Sequence, residues 1–370
     1  MKQQERRTWA EISLPNLEHN YRALRALLPE GCRFLGVVKA DAYGHGAVPV
    51  ARKLEELGAA CLAEARELRE AGVLTPILLL GYTPTDCAEE LLRYGLTQTV
   101  YDLESARAFS AAAQAAGRRL RIHVKADTGM SRLGWLCNEG HRTEAADAIA
   151  AVCALPGLEA EGIYTHFANA DGDEAYTMGQ FTRFLELLSE LEGRGITFPI
   201  RHCAASAAVL KYPCTHLDMV RPGVALYGHY PDPSCEGLDG VGLRPVMALK
   251  TRVASVKAVP AGTPVSYGCT HVLERDAELA ALTVGYADGL PRLCSDQLEV
   301  LIRGQRAPIV GRVCMDMCMA DATGLGAAPG DEVELFGEHL PVEDAAALAG
   351  TIQYELLCAV SPRVPREYLN

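Results

Sequence analysis

Between residues 33 and 228 the chain alternates eight short apolar runs with stretches of helical period, and beyond about residue 240 that alternation ends. The runs are RFLGVVKA (33–40), ACLA (60–63), PILLLGY (76–82), LTQTVYD (96–102), RIHVKAD (121–127), AEGIYTHFA (160–168), PIRHCAAS (199–206) and MVRPGVALYG (219–228). Intervening segments such as VPVARKLEELGA, DCAEELLRYG and LESARAFSAAAQAAGR repeat apolar residues at spacings of three and four and often stop at glycine, which predicts helices. Eight such repeats predict a closed parallel barrel of the TIM type, (β/α)8. The competing open doubly wound sheet lacks a GxGxxG after its first strand. From MALKTRVASVKAVPAGTPVSYG onward, β-branched runs punctuated by Pro and Gly predict a second, mostly antiparallel β domain, with one helix at VEDAAALAGTI. The fold class is therefore α/β plus β: a barrel over 13–240 and a β domain over 241–370. TWAEISL also reads as a strand, so an N-terminal strand over 1–12 is expected to join the second domain.

A net charge of -12 and a pI near 5.4 exclude the basic footprint of a nucleic-acid binder and leave small molecules or a second copy of the chain as partners. Thirteen cysteines at irregular spacing do not form a disulfide framework, which favours a reducing, cytoplasmic home. The densest group, CMDMCM at 314–319, lacks a second pair for zinc, so no metal is expected and these read as packed thiols. No window approaches 18 uninterrupted apolar residues, so no membrane segment is expected, although a piece of a larger membrane protein would look the same.

Barrel active sites lie at the C-terminal strand ends, and unusual residues gather there. The first run ends in Lys39 and Tyr43, the fifth in Lys125 with DTGMSR and Arg132, the sixth in His166, the seventh in Ser206, and the eighth carries Arg221 before PGV. Taken singly, Lys39 is equally a lysine snorkelling at a strand end, and Arg221 a partner for some acidic neighbour. A buried Lys39 would instead have a depressed pKa and a nucleophilic neutral amine. If that amine condenses with a phosphate-bearing aldehyde such as pyridoxal 5'-phosphate (PLP), Ser206, Gly223 and Val224 supply hydroxyl and backbone N–H donors for the phosphate. His166 would lie beside the ring and Arg221 would face the pyridine nitrogen, where a permanent cation weakens the electron sink.

The motifs VVKADAYGHG, HVKADTGMSRLG, YTHFANAD, MVRPGVALYG, VSYGCT, VGYADG and VGRVCMDM, in this order and across nearly the whole chain, resemble the alanine racemase family of PLP enzymes. The resemblance implies a homodimer whose sites borrow residues from the partner, and D-amino acid supply for peptidoglycan. It implies that Lys39 is the Schiff-base lysine and one catalytic base, and that Tyr267, from the other subunit, is the base on the opposite face. On its own Tyr267 would read as a turn tyrosine. A phenol with an ordinary pKa of about 10 needs cationic neighbours to act as a base, which a Tyr267–His166–Arg221 network would provide. Arg132 would bind the substrate carboxylate, and a carbamylated Lys125 would position Arg132. Tyr43, Ser206, Gly223 and Val224 would hold phosphate, and Tyr286 and Met315 of the partner would narrow the entrance.

One position departs from the family. Where members carry a tyrosine in an ISYRVPR-like segment, VSPRVPR places Pro362, which cannot donate a hydrogen bond. That opens room for serine's hydroxymethyl, with Tyr368 the nearby hydroxyl to replace the lost contact, and leaves a serine racemase of the vancomycin-resistance type beside the alanine enzyme. A non-catalytic PLP-carrier barrel would not need the β domain with Tyr267. A PLP decarboxylase of the same architecture would place an acid, not Arg221, at the pyridine nitrogen.

Overall fold

The computed structural model describes residues 7–370, the side chain of Asp239 excepted. They fall into two compact units. One comprises Glu18–Ala42 and Ala47–Leu243; the other comprises the described residues through Leu17, Tyr43–Gly46 and Arg244–Asn370.

The first unit is the barrel. Strands Arg33–Val37, Glu56–Ala59, Ile77–Leu79, Thr97–Val100, Leu120–Asp127, Leu158–Tyr164 and Ile200–His202 pair in parallel in that order. Met219–Val220 returns to Arg33–Val37, and a parallel bridge between Ala205 and Arg221 brings the last two strands together, so the ring is nearly closed. Strands buried on both faces explain the continuous apolar runs. Carboxylates cap the helices Leu103–Ala115 and Glu174–Gly193: Asp102 accepts from the Ser105 N–H at 2.7 Å and Asp173 from the Tyr176 N–H at 2.9 Å.

The second barrel strand is not the expected ACLA at 60–63. It is Glu56–Ala59, inside the stretch whose spacing predicts a helix, and Leu62–Glu70 is helical instead. The charged residue that disguises this strand is paired: Arg33, at the start of the neighbouring strand, donates to Glu56 at 2.5 Å. Helix is confined to Ala47–Ala51 in that stretch.

The second unit is an antiparallel-rich β structure around the long strand Met247–Val259. Thr8–Ser13, Ala277–Leu282 and Glu332–Phe336 pair with it antiparallel, and Arg366–Leu369 lies parallel to Thr8–Ser13. Of the N-terminal strand expected over 1–12, residues 1–6 lie outside the described residues. Trp9 is fully buried, and the Thr251 hydroxyl bonds to the hydroxyls of both Thr8 and Thr283. Val342–Leu348 is the helix predicted from VEDAAALAGTI.

Candidate active site

Lys39 follows the strand Arg33–Val37 by two residues and is partly buried. Directly after it, Ala40, Asp41, Ala42 and Tyr43 take φ of 53, 52, 54 and 54°, a left-handed helical turn built without glycine. L-residues pay about 1–2 kcal/mol each for that conformation. The surroundings hold it. Ala42 N–H donates to the Val38 carbonyl at 2.8 Å, Ala40 N–H to Glu64 Oε1 at 2.8 Å, and Asp41 Oδ1 accepts from Ala47 N–H at 2.6 Å. The lysine thus stands on backbone fixed from both sides, and strain of this kind concentrates at functional sites.

Lys125 lies near the end of Leu120–Asp127 and is only 4% exposed. Burial first, then the charges of Arg132, Arg221 and Lys39, push its amine down to about 8, against a smaller upward pull from Asp127. Among the described residues it makes no hydrogen bond or ion pair, and its Nζ stands 5.3 Å from the centre of the Tyr164 ring. Arg132, in the following loop, is exposed and likewise unpaired among the described residues. That loop is folded around Asp127, whose Oδ1 accepts from the N–H groups of Gly129, Met130 and Ser131, each at 3.0 Å. Gly134 closes it against the strand: a Cβ there would sit 2.7 Å from the Asp127 nitrogen.

Arg221 is the best-anchored cation. Its Nη1 reaches His202 Nδ1 at 2.6 Å, and its Nη2 donates to the Thr165 and Cys203 carbonyls at 2.9 and 3.1 Å and faces His166 Nδ1 at 3.2 Å. A guanidinium only donates, so His166 Nδ1 accepts and the ring carries its proton on Nε2. Burial, reinforced by Arg221, Lys125, Arg132 and Lys39, holds His166 well below its ordinary range, so the ring is neutral at physiological pH. The Arg221 Nε–H and one Nη1–H have no acceptor among the described residues. Ser206 Oγ accepts from the Gly223 and Ala225 N–H groups at 2.9 and 3.3 Å, which leaves its own hydroxyl hydrogen and the Val224 N–H as donors.

The barrel unit therefore brings Lys39, Lys125, Arg132, His166, Ser206, Arg221, Gly223 and Val224 to its C-terminal strand ends. Tyr43, Tyr267, Tyr286 and Met315 belong to the other unit. Tyr43 is buried, its ring 6.1 Å from that of Tyr354. Tyr286 and Met315 share one loop pair, since Tyr286 N–H donates to the Cys314 carbonyl at 3.0 Å and Ala287 N–H to the Met315 carbonyl at 3.1 Å. Ser266, next to Tyr267, donates to the Arg312 carbonyl at 2.8 Å, and its Oγ lies 3.4 Å from Cys314 Sγ. The side chains of Tyr267, Tyr286 and Met315 are all exposed, Tyr267 the most at 74%. Pro362 is exposed, and Tyr368 donates its hydroxyl to the His45 carbonyl at 3.2 Å.

Fold and site together define a barrel-plus-β-domain protein whose strand ends collect cations around a lysine. The family model of the alanine racemase N-terminal domain matches residues 12–231, and that of the C-terminal domain matches residues 246–368. An alanine racemase of Desulforamulus reducens is 48% identical over 98% of this chain and 99% of its own. A solved alanine racemase of Clostridium difficile is 40% identical with a TM-score of 0.92, covering 98% of this chain and 95% of that one. One from Streptomyces lavendulae is 38% identical with a TM-score of 0.93, covering 100% and 98%. The chain belongs to the alanine racemase family.

Lys125 yields a stability prediction. Its amine falls from an ordinary 10.5 to about 8 on folding, so between these values the unfolded chain binds more protons and stability rises with pH. Below about pH 8 the cost is fully present and amounts to a few kcal/mol, since each tenfold loss of proton affinity is worth about 1.4 kcal/mol. Lys125→Met is therefore expected to raise the Tm of cofactor-free protein at pH 7 in carbonate-free buffer and to flatten the rise in Tm between pH 8 and 10. Calorimetry across that range checks it, and an unchanged slope would remove the depressed amine.

Proposed function

We propose that this protein interconverts L- and D-alanine with PLP as cofactor, as a cytoplasmic homodimer that supplies D-alanine for peptidoglycan. The observation that carries the reading is the gathering of Lys39, Lys125, Arg132 and Arg221 around a neutral His166 at the barrel's strand ends. In a chain of net charge -12 this is a site for anions, and the groups at Ser206, Val224 and Arg221 that no described residue engages are donors. Those donors fit PLP. Ser206 and Val224 offer hydroxyl and N–H hydrogens for a phosphate, as Tyr43 would with its hydroxyl, Gly223 admits it closely, and the unused Arg221 N–H groups suit an unprotonated pyridine nitrogen. Lys39 is the residue that would attach it.

When bound, PLP supplies stabilisation of the charge left at the substrate Cα as its proton departs. The chain does the rest. The Arg132 guanidinium, unpaired among the described residues, receives the substrate carboxylate, oriented by the loop folded on Asp127 and by Lys125, whose depressed amine is suited to capture CO2 as a carbamate. Lys39 and Tyr267 of the partner subunit hold or receive the proton at opposite faces of Cα, and His166 Nε2–H is a donor for the tyrosine oxygen. Tyr286 and Met315 of the partner narrow the entrance. Side-by-side inversion rates of L-alanine and L-serine on PLP-loaded protein test the reading, and no inversion of either would overturn it.

Pro362 favours one second reading, racemisation of serine. Its two chain neighbours are both tied to Asp288, whose carbonyl accepts from the Ser361 backbone N–H at 3.2 Å and whose Oδ1 accepts from the Arg363 side chain at Nε, 2.8 Å away. Pro362→Tyr is expected to lower the serine-to-alanine rate ratio by about tenfold, the usual worth of filling one small space in a pocket. An unchanged ratio would take Pro362 out of specificity.

A further inference from the structure

The mechanism uses Arg221 but not what stands behind it. Inside the barrel, His202 Nε2 lies 2.8 Å from His123 Nδ1, and His123 Nε2 lies 3.5 Å from Glu161 Oε2. His202 is fully buried and His123 is 3% exposed, whereas Glu161 is partly exposed, near Thr97 and Arg121. Thr97 opens its strand, so Glu161 marks the end of the barrel away from Lys39. Room for this line is built in: a Cβ on Gly162 would come within 2.6 Å of His123 Cε1 and 2.7 Å of Nδ1.

The two ends fix every proton between them. Arg221 can only donate, so His202 Nδ1 accepts and its proton sits on Nε2. That hydrogen faces His123 Nδ1, which must therefore accept, leaving the His123 proton on Nε2, toward a carboxylate that can only accept. Both imidazoles are neutral, and burial lowers both. The hydrogen bond from His123 also holds the Glu161 carboxyl below its usual range.

We propose that Glu161 is a positioning residue for racemisation: by accepting the His123 Nε2–H it completes the line that holds His202 seated against Arg221, and so fixes how Arg221 presents its remaining N–H groups to the cofactor ring. This rests on the racemase reading of the site. Without Glu161, His123 has no acceptor for its Nε2–H. A flip of its proton to Nδ1 would set two N–H groups head to head unless His202 flipped as well, and His202 cannot flip without facing the Arg221 donor.

The test compares wild type, Glu161→Leu and Glu161→Gln, with histidine labelled in 15N and folding checked by circular dichroism. In cofactor-free wild type, His123 and His202 should both show the Nε2–H tautomer. Glu161→Leu should shift the His202 signals, although the two residues do not touch, and in PLP-loaded enzyme lower kcat roughly five- to tenfold, the worth of one buried hydrogen bond, with little change in KM. Glu161→Gln, whose carboxamide oxygen still accepts, should restore the His202 signals and kcat to within about twofold of wild type. An Nδ1–H proton on His202 in wild type, or His202 signals unmoved in Glu161→Leu whatever happens to kcat, would overturn the proposal. Because tautomers are read without cofactor, the expected signals in a wild-type protein that racemises nothing would instead sink the racemase reading.

Discussion

Lys39→Ala is expected to abolish both the visible absorption of lysine-attached PLP and racemisation in either direction, the latter by at least about a thousandfold, since on the proposed reading one residue serves as attachment point and proton acceptor. The contest is between two lysines on one rim. Lys125 has an amine pushed down to about 8, which favours its neutral, nucleophilic form. Position favours Lys39, which stands at the head of a strained left-handed turn pinned by Glu64 and Asp41, whereas Lys125 lies within its strand. Borohydride reduction followed by peptide mapping decides between them. Label on the Lys39 peptide of wild type, and none in Lys39→Ala, is the expected result; a band that survives Lys39→Ala with label at Lys125 would exchange their roles.

What could be read from the sequence depended on whether a residue's neighbours along the chain announce its role. Seven of the eight barrel strands carry their signal in their own apolar runs. Glu56–Ala59 did not, because its first residue is a carboxylate neutralised by Arg33 from the adjacent strand, a pairing that exists only once the sheet has formed. The left-handed turn after Lys39 escaped for a related reason: ADAY contains no glycine to mark a positive φ, and the groups that stabilise it come from Glu64 and Ala47. Lys125, Arg132, His166 and Arg221 were legible because charged or titratable groups at strand ends stand out. His123, His202 and Glu161 were not, since a polar residue inside a strand run looks the same whether it faces solvent or a buried partner. Asp127 was visible as part of a motif, but its three backbone acceptances, which shape the Arg132 loop, belong to the fold.

Tyr267→Phe is the sharpest test of the two-base arrangement, because it removes one oxygen. Tyr267 sits between the short strands Pro264–Val265 and His271–Val272, on a turn where Ser266, Gly268 and Cys269 have φ of 64, 76 and 50°. Ser266 holds the turn to Arg312, and His271 pairs with Asp296 at 2.9 Å. That turn leaves the phenol 74% exposed, as the proposed role in another subunit's site requires. Racemisation should fall by about 10²–10⁴, the usual worth of a positioned acid or base. The fall must be equal in kcat/KM for both enantiomers, because mirror-image substrates have an equilibrium constant of one. The asymmetry appears instead in exchange of the Cα hydrogen with D2O, retained for the enantiomer whose hydrogen faces Lys39 and lost for the other. Equal exchange of both enantiomers would remove Tyr267 from the chemistry. If Tyr267 acts in its partner's site, co-expressing Tyr267→Phe with Lys39→Ala should restore activity. Random pairing makes half the dimers mixed, each with one intact site of two, so about a quarter of wild-type activity should return. No recovery, in dimers shown to be mixed, would place both bases on the same chain.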